Sequence, residues 1–293
     1  MVTHNLNIHD DGFYTKIQKI ENECNTGEEF NLNVKGLNRL EVDYKVLTSI
    51  NLCVCCGVSP ISEGFSIRLK KINLLVDLYN NVGTVRDLTI PETYKKIWDD
   101  INQPIQTKKA NEHNLPEERR NKCFDILPKR GYYLASLVEV MGASKVVEMG
   151  TAEGWQFYTF AESLRERSGH VWSADIRDVR SQTYVQKYDK LSSFVRGTSD
   201  DLSRHLTDNK ISDVDLFYVD ASHDKGAVIR DVVNLQKYQS DSPVWVFDDY
   251  DVRFGCHYDI GKICEMRKNY KIYSVGETAS GNPTHQVMVF GKM

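Results

Sequence analysis

The chain predicts an α/β protein built on a mostly parallel sheet, and three observations predict it. From about Tyr132 onward, short apolar runs alternate with segments of helical periodicity. The runs are β-branched and apolar, as strands covered on both faces must be. The last two runs, Lys271–Val275 and Gln286–Gly291, have no helical segment between them and are expected to pair antiparallel at the sheet's edge.

Each element follows from its pattern. Arg68–Tyr79 and Ile90–Ile101 read as helices, the second with Pro91 suited to its first turn. Residues 103–122 are polar, contain two prolines and are expected to form a loop or linker. Gly131–Met141 is a helix leading into the first strand, Lys145–Gly150. Trp155–Arg167 places Phe157, Phe160, Ala161 and Leu164 at helical spacing. His170–Asp175, Ser192–Arg196, Asp213–Asp220 and Pro243–Asp248 are the next strands. Val179–Lys190, Ser199–Thr207, Lys225–Tyr238 and Ile260–Asn269 are the helices that alternate with them. Residues 131–293 therefore make the sheet domain. Residues 1–130 make a mostly helical N-terminal region, read as a lid, an acceptor-binding surface or a subunit contact, the last compatible with a homo-oligomer.

Bulk properties exclude several classes. At 293 residues with 41% hydrophobic content the chain can bury a large core. Its net charge of −4 argues against nucleic-acid or membrane-surface partners. The short basic pairs Lys70-Lys71, Arg119-Arg120 and Lys129-Arg130 read as solvated faces. No run approaches the ~18 apolar residues of a membrane span. The opening MVTHNLNIHDDGFY lacks the basic start and apolar run of a signal peptide. Seven scattered cysteines fit a reducing compartment, so a cytoplasmic location is expected.

The stretch VVEMGTAEGW, residues 146–155, ends the first strand in an acid and a turn with two glycines. Gly150 permits a sharp backbone turn, and Gly154 opens the next helix where a side chain would block close approach. A dinucleotide site wants G-x-G-x-x-G and no preceding acid. Here Glu148 would repel a phosphate, and no basic group compensates. The second strand ends in Asp175, placed to take both hydroxyls of a ribose. Two acids and a glycine turn without a phosphate cradle suit a nucleoside with a cationic tail, S-adenosylmethionine. A helix-opening turn with a chance acid is the plainer alternative.

A second constellation lies on the next strands. Val219-Asp220-Ala221-Ser222-His223 and Phe247-Asp248-Asp249-Tyr250-Asp251 end neighbouring strands, with Asp220 and Asp248 separated by one strand–helix–strand unit. Clustered carboxylates repel unless a cation is present. Hard oxygen donors favour Mg²⁺, Ca²⁺ or Mn²⁺. A metal-bound hydroxyl loses its proton more readily, and His223 is placed to take it as general base. The alternative is that the aspartates cap helices and His223 satisfies a local hydrogen bond.

VVEMGTAEGW resembles motif I of the class I S-adenosylmethionine-dependent methyltransferases, with Ala152 where that pattern has its middle glycine. The resemblance implies a Rossmann-like seven-stranded sheet. It also implies that Glu148, Gly150, Thr151 and Gly154 line the methionine side, that Asp175 holds the ribose, and that Ser199 and Asp200 sit near the adenine. VDASHDKGAVIRDVVNLQKY and VWVFDDYD are similar to segments of the metal-dependent macrocin- and mycinamicin-type sugar O-methyltransferases. Catechol O-methyltransferase has a related Asp…Asp-Asn arrangement. That likeness, covering Gly131–Gly291, implies Asp220, Asp248 and Asp249 as Mg²⁺ ligands, with Asp220 and His223 in the catalytic machinery.

The expected activity is methyl transfer to a hydroxyl of a small molecule, sugar-bearing or phenolic. One rival is a metal-independent methyltransferase of an amine or other polar acceptor. Another is a non-catalytic binding protein of the same fold. Cys53 and Cys56 form one C-x-x-C, but a structural zinc wants four ligands. Trp155, Glu153, Tyr250, Arg253 and His257 are placed to flank cofactor or acceptor, or simply to fill core and loop.

Overall fold

The computed structural model describes residues 2–7, 30–35, 90–267, 270–275 and 286–293. The Arg68–Tyr79 helix and the Cys53–Cys56 pair lie outside the described residues. Strands β1 (Val2–Asn7) and β2 (Phe30–Lys35) pair in parallel as a separate two-stranded sheet. Helix α1 (Glu92–Ile97) runs through a π-helical turn at Trp98–Asn102 into α2 (Gln103–Glu112), and α3 (Glu117–Met141) follows.

Residues 103–122 are thus largely helical, not the loop their composition predicts. The prolines explain the difference. Pro104 lies in the first turn of α2, and Pro116 is the N-cap of α3. Pro104 follows directly on the π-helical turn, an irregular stretch of the hydrogen-bond ladder that accommodates a missing N–H, whereas Pro116 precedes the first turn of α3, where no intrahelical bond is lost. Helix α3 also begins well before Gly131, and it runs unbroken across residues 130 and 131.

The main sheet has seven strands: β3 (Lys145–Met149), β4 (His170–Asp175), β5 (Ser192–Arg196), β6 (Val214–Val219), β7 (Gln239–Phe247), β8 (Lys271–Val275) and β9 (Gln286–Phe290). Their order is β5-β4-β3-β6-β7-β9-β8. All neighbours are parallel except β9, which runs antiparallel to both β7 and β8. This is the mostly parallel sheet that the strand–helix alternation predicts, with the seven strands that the resemblance implies. The crossovers include α4 (Trp155–Ser163), α5 (Gln182–Lys187), α6 (Ser199–Asp208), α7 (Ala227–Leu235) and α8 (Cys256–Met266).

Strand alternation sorts side chains into two cores. Val146, Val171, Leu216, Tyr218 and Val246 face the layer holding α3, α4 and α5, with Leu134, Leu137, Phe157 and Tyr188. Val147, Ala174, Phe217, Val219 and Trp245 face the layer of α6, α7 and α8, with Leu202, Val232 and Ile260. On that face Phe217 and Trp245 stack with ring centroids 4.0 Å apart.

The helices before the sheet join the first core. Ile97 and Ile101 are buried in it. Trp98 meets Trp155 edge-on at 4.9 Å, and the Tyr184 hydroxyl donates to Asp100 Oδ2 at 2.8 Å. Trp155 therefore packs between helices. Its ring lies so close to α3 that a Cβ at Gly131 would stand 2.4 Å from Trp155 Cζ2. A mid-helix glycine ordinarily costs about 1 kcal/mol relative to alanine; here the close approach requires it. No helix among the described residues is long and apolar enough to cross a membrane.

Gly131→Ala should therefore destabilise the protein by about 1–3 kcal/mol through overpacking, despite the better helix propensity of alanine. Chemical denaturation checks this; equal or greater stability in the variant would show that α3 and α4 do not pack this closely.

Candidate functional site

The chain builds β3, β4 and β5 outward on one side, then returns to place β6 on the other side of β3. Ligands of open α/β sheets bind at such a reversal, beyond the carboxyl ends of the strands. Gly150 sits there with φ +93°, and a Cβ on it would lie 1.8 Å from the carbonyl oxygen of Asp220. The Gly150 N–H donates to the Ala174 carbonyl at 2.9 Å, and the Asp220 N–H donates to the Met149 carbonyl at 2.8 Å. Three strand ends converge on one residue that has room for no side chain.

A cleft of about 430 Å³ opens above this point, its lining including Gly150, Asp175, Ile176, Ser199, Asp220 and Asp231. That volume suits a small-molecule ligand. Asp175 Oδ2 accepts from the Ala152 N–H at 2.9 Å and Oδ1 from the Arg177 N–H at 3.0 Å, so the carboxylate is fixed by two loops. Ala152 has φ +46°, a left-handed conformation costing a non-glycine residue roughly 1–2 kcal/mol. It is thus held in the backbone shape that the resembling pattern fills with glycine. Ser199 is buried at the start of α6 and accepts from Asn234 Nδ2 at 3.0 Å.

Glu148, Thr151, Gly154 and Asp200 do not line the cleft. Glu148 is fully buried beneath its floor, on the α3 side of the sheet. Ser173 Oγ donates to Glu148 Oε2 at 2.5 Å, and Thr151 Oγ1 lies 2.6 Å from the same Ser173 oxygen. Glu148 Oε1 has no hydrogen-bond partner among the described residues. Burial pushes the Glu148 carboxyl up to about 8, against the opposing pull of Ser173. Gly154 is the N-cap of α4. Asp200 is exposed; its neighbour Asp201 instead closes a capping box with Thr198 on α6.

Sequence reasoning missed Asp231 and two arginines at this cleft. Asp231 is buried on α7, and burial raises its carboxyl to about 6 while the Ser199 hydroxyl opposes the shift. It shares the helix stripe of Val228, Val232 and Leu235, so an acid on an apolar face was the available signal. Arg177 and Arg230 reach the cleft as exposed rim residues. The cleft therefore does contain cationic groups, contrary to the reading of VVEMGTAEGW alone.

The acidic constellation assembles by strand parity. Asp220 follows Leu216 and Tyr218 in alternation, and Asp248 follows Val244 and Val246, so both carboxylates turn toward α3. The Tyr218 hydroxyl lies 2.8 Å from Asp248 Oδ2 and 3.0 Å from Asp220 Oδ2. From α3, Arg130 Nη1 stands 3.4 Å from the same Asp248 oxygen, its side chain 14% exposed. Arg130 was expected on a solvated face; it is instead the cation of this cluster. Burial works against its charge, but Asp248, Tyr218, Asp220 and Asp249 outweigh burial and hold the guanidinium above its ordinary range. Asp220 is held well above the usual carboxylate range by burial, then by Asp248 and Asp249, with Arg130 opposing.

Asp249 has φ +54°, a turn that sends its carboxylate back toward the strand β6 loop. His223 Nε2 lies 2.7 Å from Asp249 Oδ2, and this hydrogen bond raises the imidazole above its ordinary range. The His223 ring packs against Phe254 at 4.5 Å, and its carbonyl accepts from the Cys256 N–H at 2.9 Å. Asp220, His223 and Asp249 each offer an atom able to ligate a metal, and these atoms lie within 4.8 Å of one another. Two carboxylate oxygens and an imidazole nitrogen form a donor set that fits a divalent cation. Asp248, the other expected ligand, turns its Oδ2 to Tyr218 and Arg130. In the following loop Arg253 forks onto buried Asp251 at 3.0 and 2.8 Å, and Tyr250 stacks on His257 at 4.3 Å. Glu153 is not among the cleft residues.

Comparison with known proteins bears on the fold. Residues 147–250 match a family model described as a methyltransferase domain. The fold is similar to that of an O-methyltransferase from Bacillus cereus solved with S-adenosylhomocysteine, at 15% identity and a TM-score of 0.51, covering 70% of this chain and 92% of that one. It is equally similar to TomG, an O-methyltransferase of tomaymycin synthesis from Streptomyces achromogenes solved with S-adenosylmethionine, at 15% identity and a TM-score of 0.51, covering 70% of this chain and 91% of that one. No curated protein matches the chain by sequence. Residues 147–250 therefore resemble a methyltransferase domain, and the seven-stranded sheet that holds them has the fold of these O-methyltransferase structures.

The buried Glu148 makes a pH prediction. A carboxyl whose folded pKa is raised favours its neutral form in the folded state, so stability falls as pH rises from the unfolded value toward about 8. Melting temperatures from pH 5 to 9 should decline for the native chain, by the equivalent of roughly a few kcal/mol, and decline less for Glu148→Gln. Parallel profiles would mean that Glu148 ionises freely in the fold.

Proposed function

We propose that the protein is an S-adenosylmethionine-dependent O-methyltransferase acting on a hydroxyl of a small molecule. The observation that carries this reading is adjacency. Asp220 lines the cleft that holds Gly150, Asp175 and Ser199, and it also belongs to the Asp220–His223–Asp249 cluster. A methyl donor in the cleft and an acceptor over the cluster would meet at the carboxyl ends of β3 and β6.

In this reading Asp175 takes the ribose hydroxyls, with its carboxylate already oriented by Ala152 and Arg177. Ser199 and Asp231 face the adenine end, and exposed Ile176 offers an apolar lip. The acceptor oxygen attacks the methyl carbon in line with the sulfur, and S-adenosylhomocysteine leaves. His223 takes the hydroxyl proton at its imidazole, and Asp249 stabilises the imidazolium that results. Holding the oxygen in line supplies several kcal/mol, up to ~7–11, of the barrier reduction. Asp220 and Asp249, with His223 nearby, would hold Mg²⁺, which when bound would lower the pKa of the acceptor hydroxyl.

The segments around Asp220 and Asp248 resemble those of macrocin-type sugar O-methyltransferases, and TomG serves tomaymycin synthesis. Both support a sugar-bearing or phenolic natural product as acceptor. A metal-independent variant of the same reaction is favoured by one observation: Arg130 already supplies a positive charge to the acidic cluster.

Two substitutions separate the roles. His223→Ala should lower turnover by about 10²–10⁴-fold while S-adenosylhomocysteine affinity stays near native. Asp175→Ala should weaken that affinity by roughly 10–100-fold, the loss of charged hydrogen bonds. Steady-state kinetics and calorimetry read the two. A native-like turnover in the first, or native-like affinity in the second, would remove the role assigned to that residue.

A further inference from the structure

We infer that Arg130 is the resident counter-cation of the Asp220–Asp248–Asp249 cluster and sets how strongly that cluster takes a divalent ion. The inference rests on the divalent-ion part of the proposed function, and on geometry independent of it. Arg130 comes from α3, outside the residues 147–250 that match the methyltransferase model. Its guanidinium is largely buried, and Asp248 beside it is 1% exposed at the side chain. The Tyr218 hydroxyl joins Asp248 to Asp220, so a charge placed at Asp248 is felt at both strand ends.

The arrangement divides the carboxylates into two sets. Asp248 turns its Oδ2 to both Arg130 and the Tyr218 hydroxyl. Asp220 and Asp249 keep their ligand atoms gathered with His223. A fixed cation beside the first set offsets repulsion when no ion is bound, and it opposes the arrival of a second cation at the other set. Removing it has two opposite consequences. The metal-free protein is left with buried carboxylates that lack their compensating charge, which is strongly destabilising. The cluster also becomes more negative, and its attraction for a divalent ion grows. Arg130→Lys keeps the charge on a similar stem but loses the planar fork, so it should stay close to the native chain in both respects.

The test uses the full chain, with Mn²⁺ as the probe ion, read by electron paramagnetic resonance and by melting in EDTA or in Mn²⁺. Arg130→Met should melt lower than the native chain in EDTA, bind Mn²⁺ about tenfold or more tightly, and recover much of its melting temperature in Mn²⁺. Arg130→Lys should lie near native and report on the site where Arg130→Met fails to fold. Were the native chain to bind no Mn²⁺, the divalent-ion reading would fall; binding gained by Arg130→Met would still support the role of Arg130. Equal or weaker Mn²⁺ binding in Arg130→Met would overturn the inference, as would binding by neither chain. If Arg130→Met does not fold, an Arg130→Lys chain that also fails to fold would overturn it, because charge alone would then not suffice.

Discussion

The contact on which the site depends is the one between Gly150 and the backbone of Asp220. A parallel sheet that reverses direction at β3 must bring the end of β6 against the turn after β3. Here the approach leaves no volume for a Cβ. The same packing places Asp220 in the wall of the cleft and, through its side chain, in the acidic cluster. The glycine turn is thus a structural requirement of the strand crossing first. Its openness to a ligand is a consequence of that crossing.

Charge is the second constraint. Three aspartates at the ends of β6 and β7 could not share a buried corner without compensation. The fold supplies it from three directions: the Arg130 guanidinium from α3, the Tyr218 hydroxyl from within the sheet, and the His223 imidazole from the loop after β6. Arg130 and Tyr218 meet at Asp248 Oδ2, while His223 takes Asp249 Oδ2. Helix α3 therefore does more than cover the sheet, since it carries the cation that the strand ends face.

Most of the sheet was legible because buried strands and amphipathic helices leave periodic marks. Ser192–Arg196 and Lys271–Val275 match their strands residue for residue. Helix α2 was not legible, because Pro104 and Pro116 look like breakers until the first is seen behind a π-helical turn and the second at a helix start. Arg130 was missed for a related reason. With the helix begun at Gly131, Arg130 fell outside the pattern; carried back along α3, it stands four and seven residues before Leu134 and Leu137, on the buried stripe. In the site, Gly150, Asp175 and Ser199 were legible as cleft residues. Glu148 was not, because the alternation that turns it away from the cleft depends on which face α3 covers. The convergence of Asp220, His223 and Asp249 was readable from strand ends, whereas the diversion of Asp248 required a partner from another layer.

The most direct test of the account is calorimetric titration of the full chain with S-adenosylhomocysteine, in Mg²⁺ and in EDTA. The cleft at Gly150 and Asp175 predicts saturable one-site binding in both, since the acidic cluster sits beside the nucleoside position. Absence of binding under both conditions would contradict the cofactor assignment and leave an α/β sheet with an acidic cleft of another purpose.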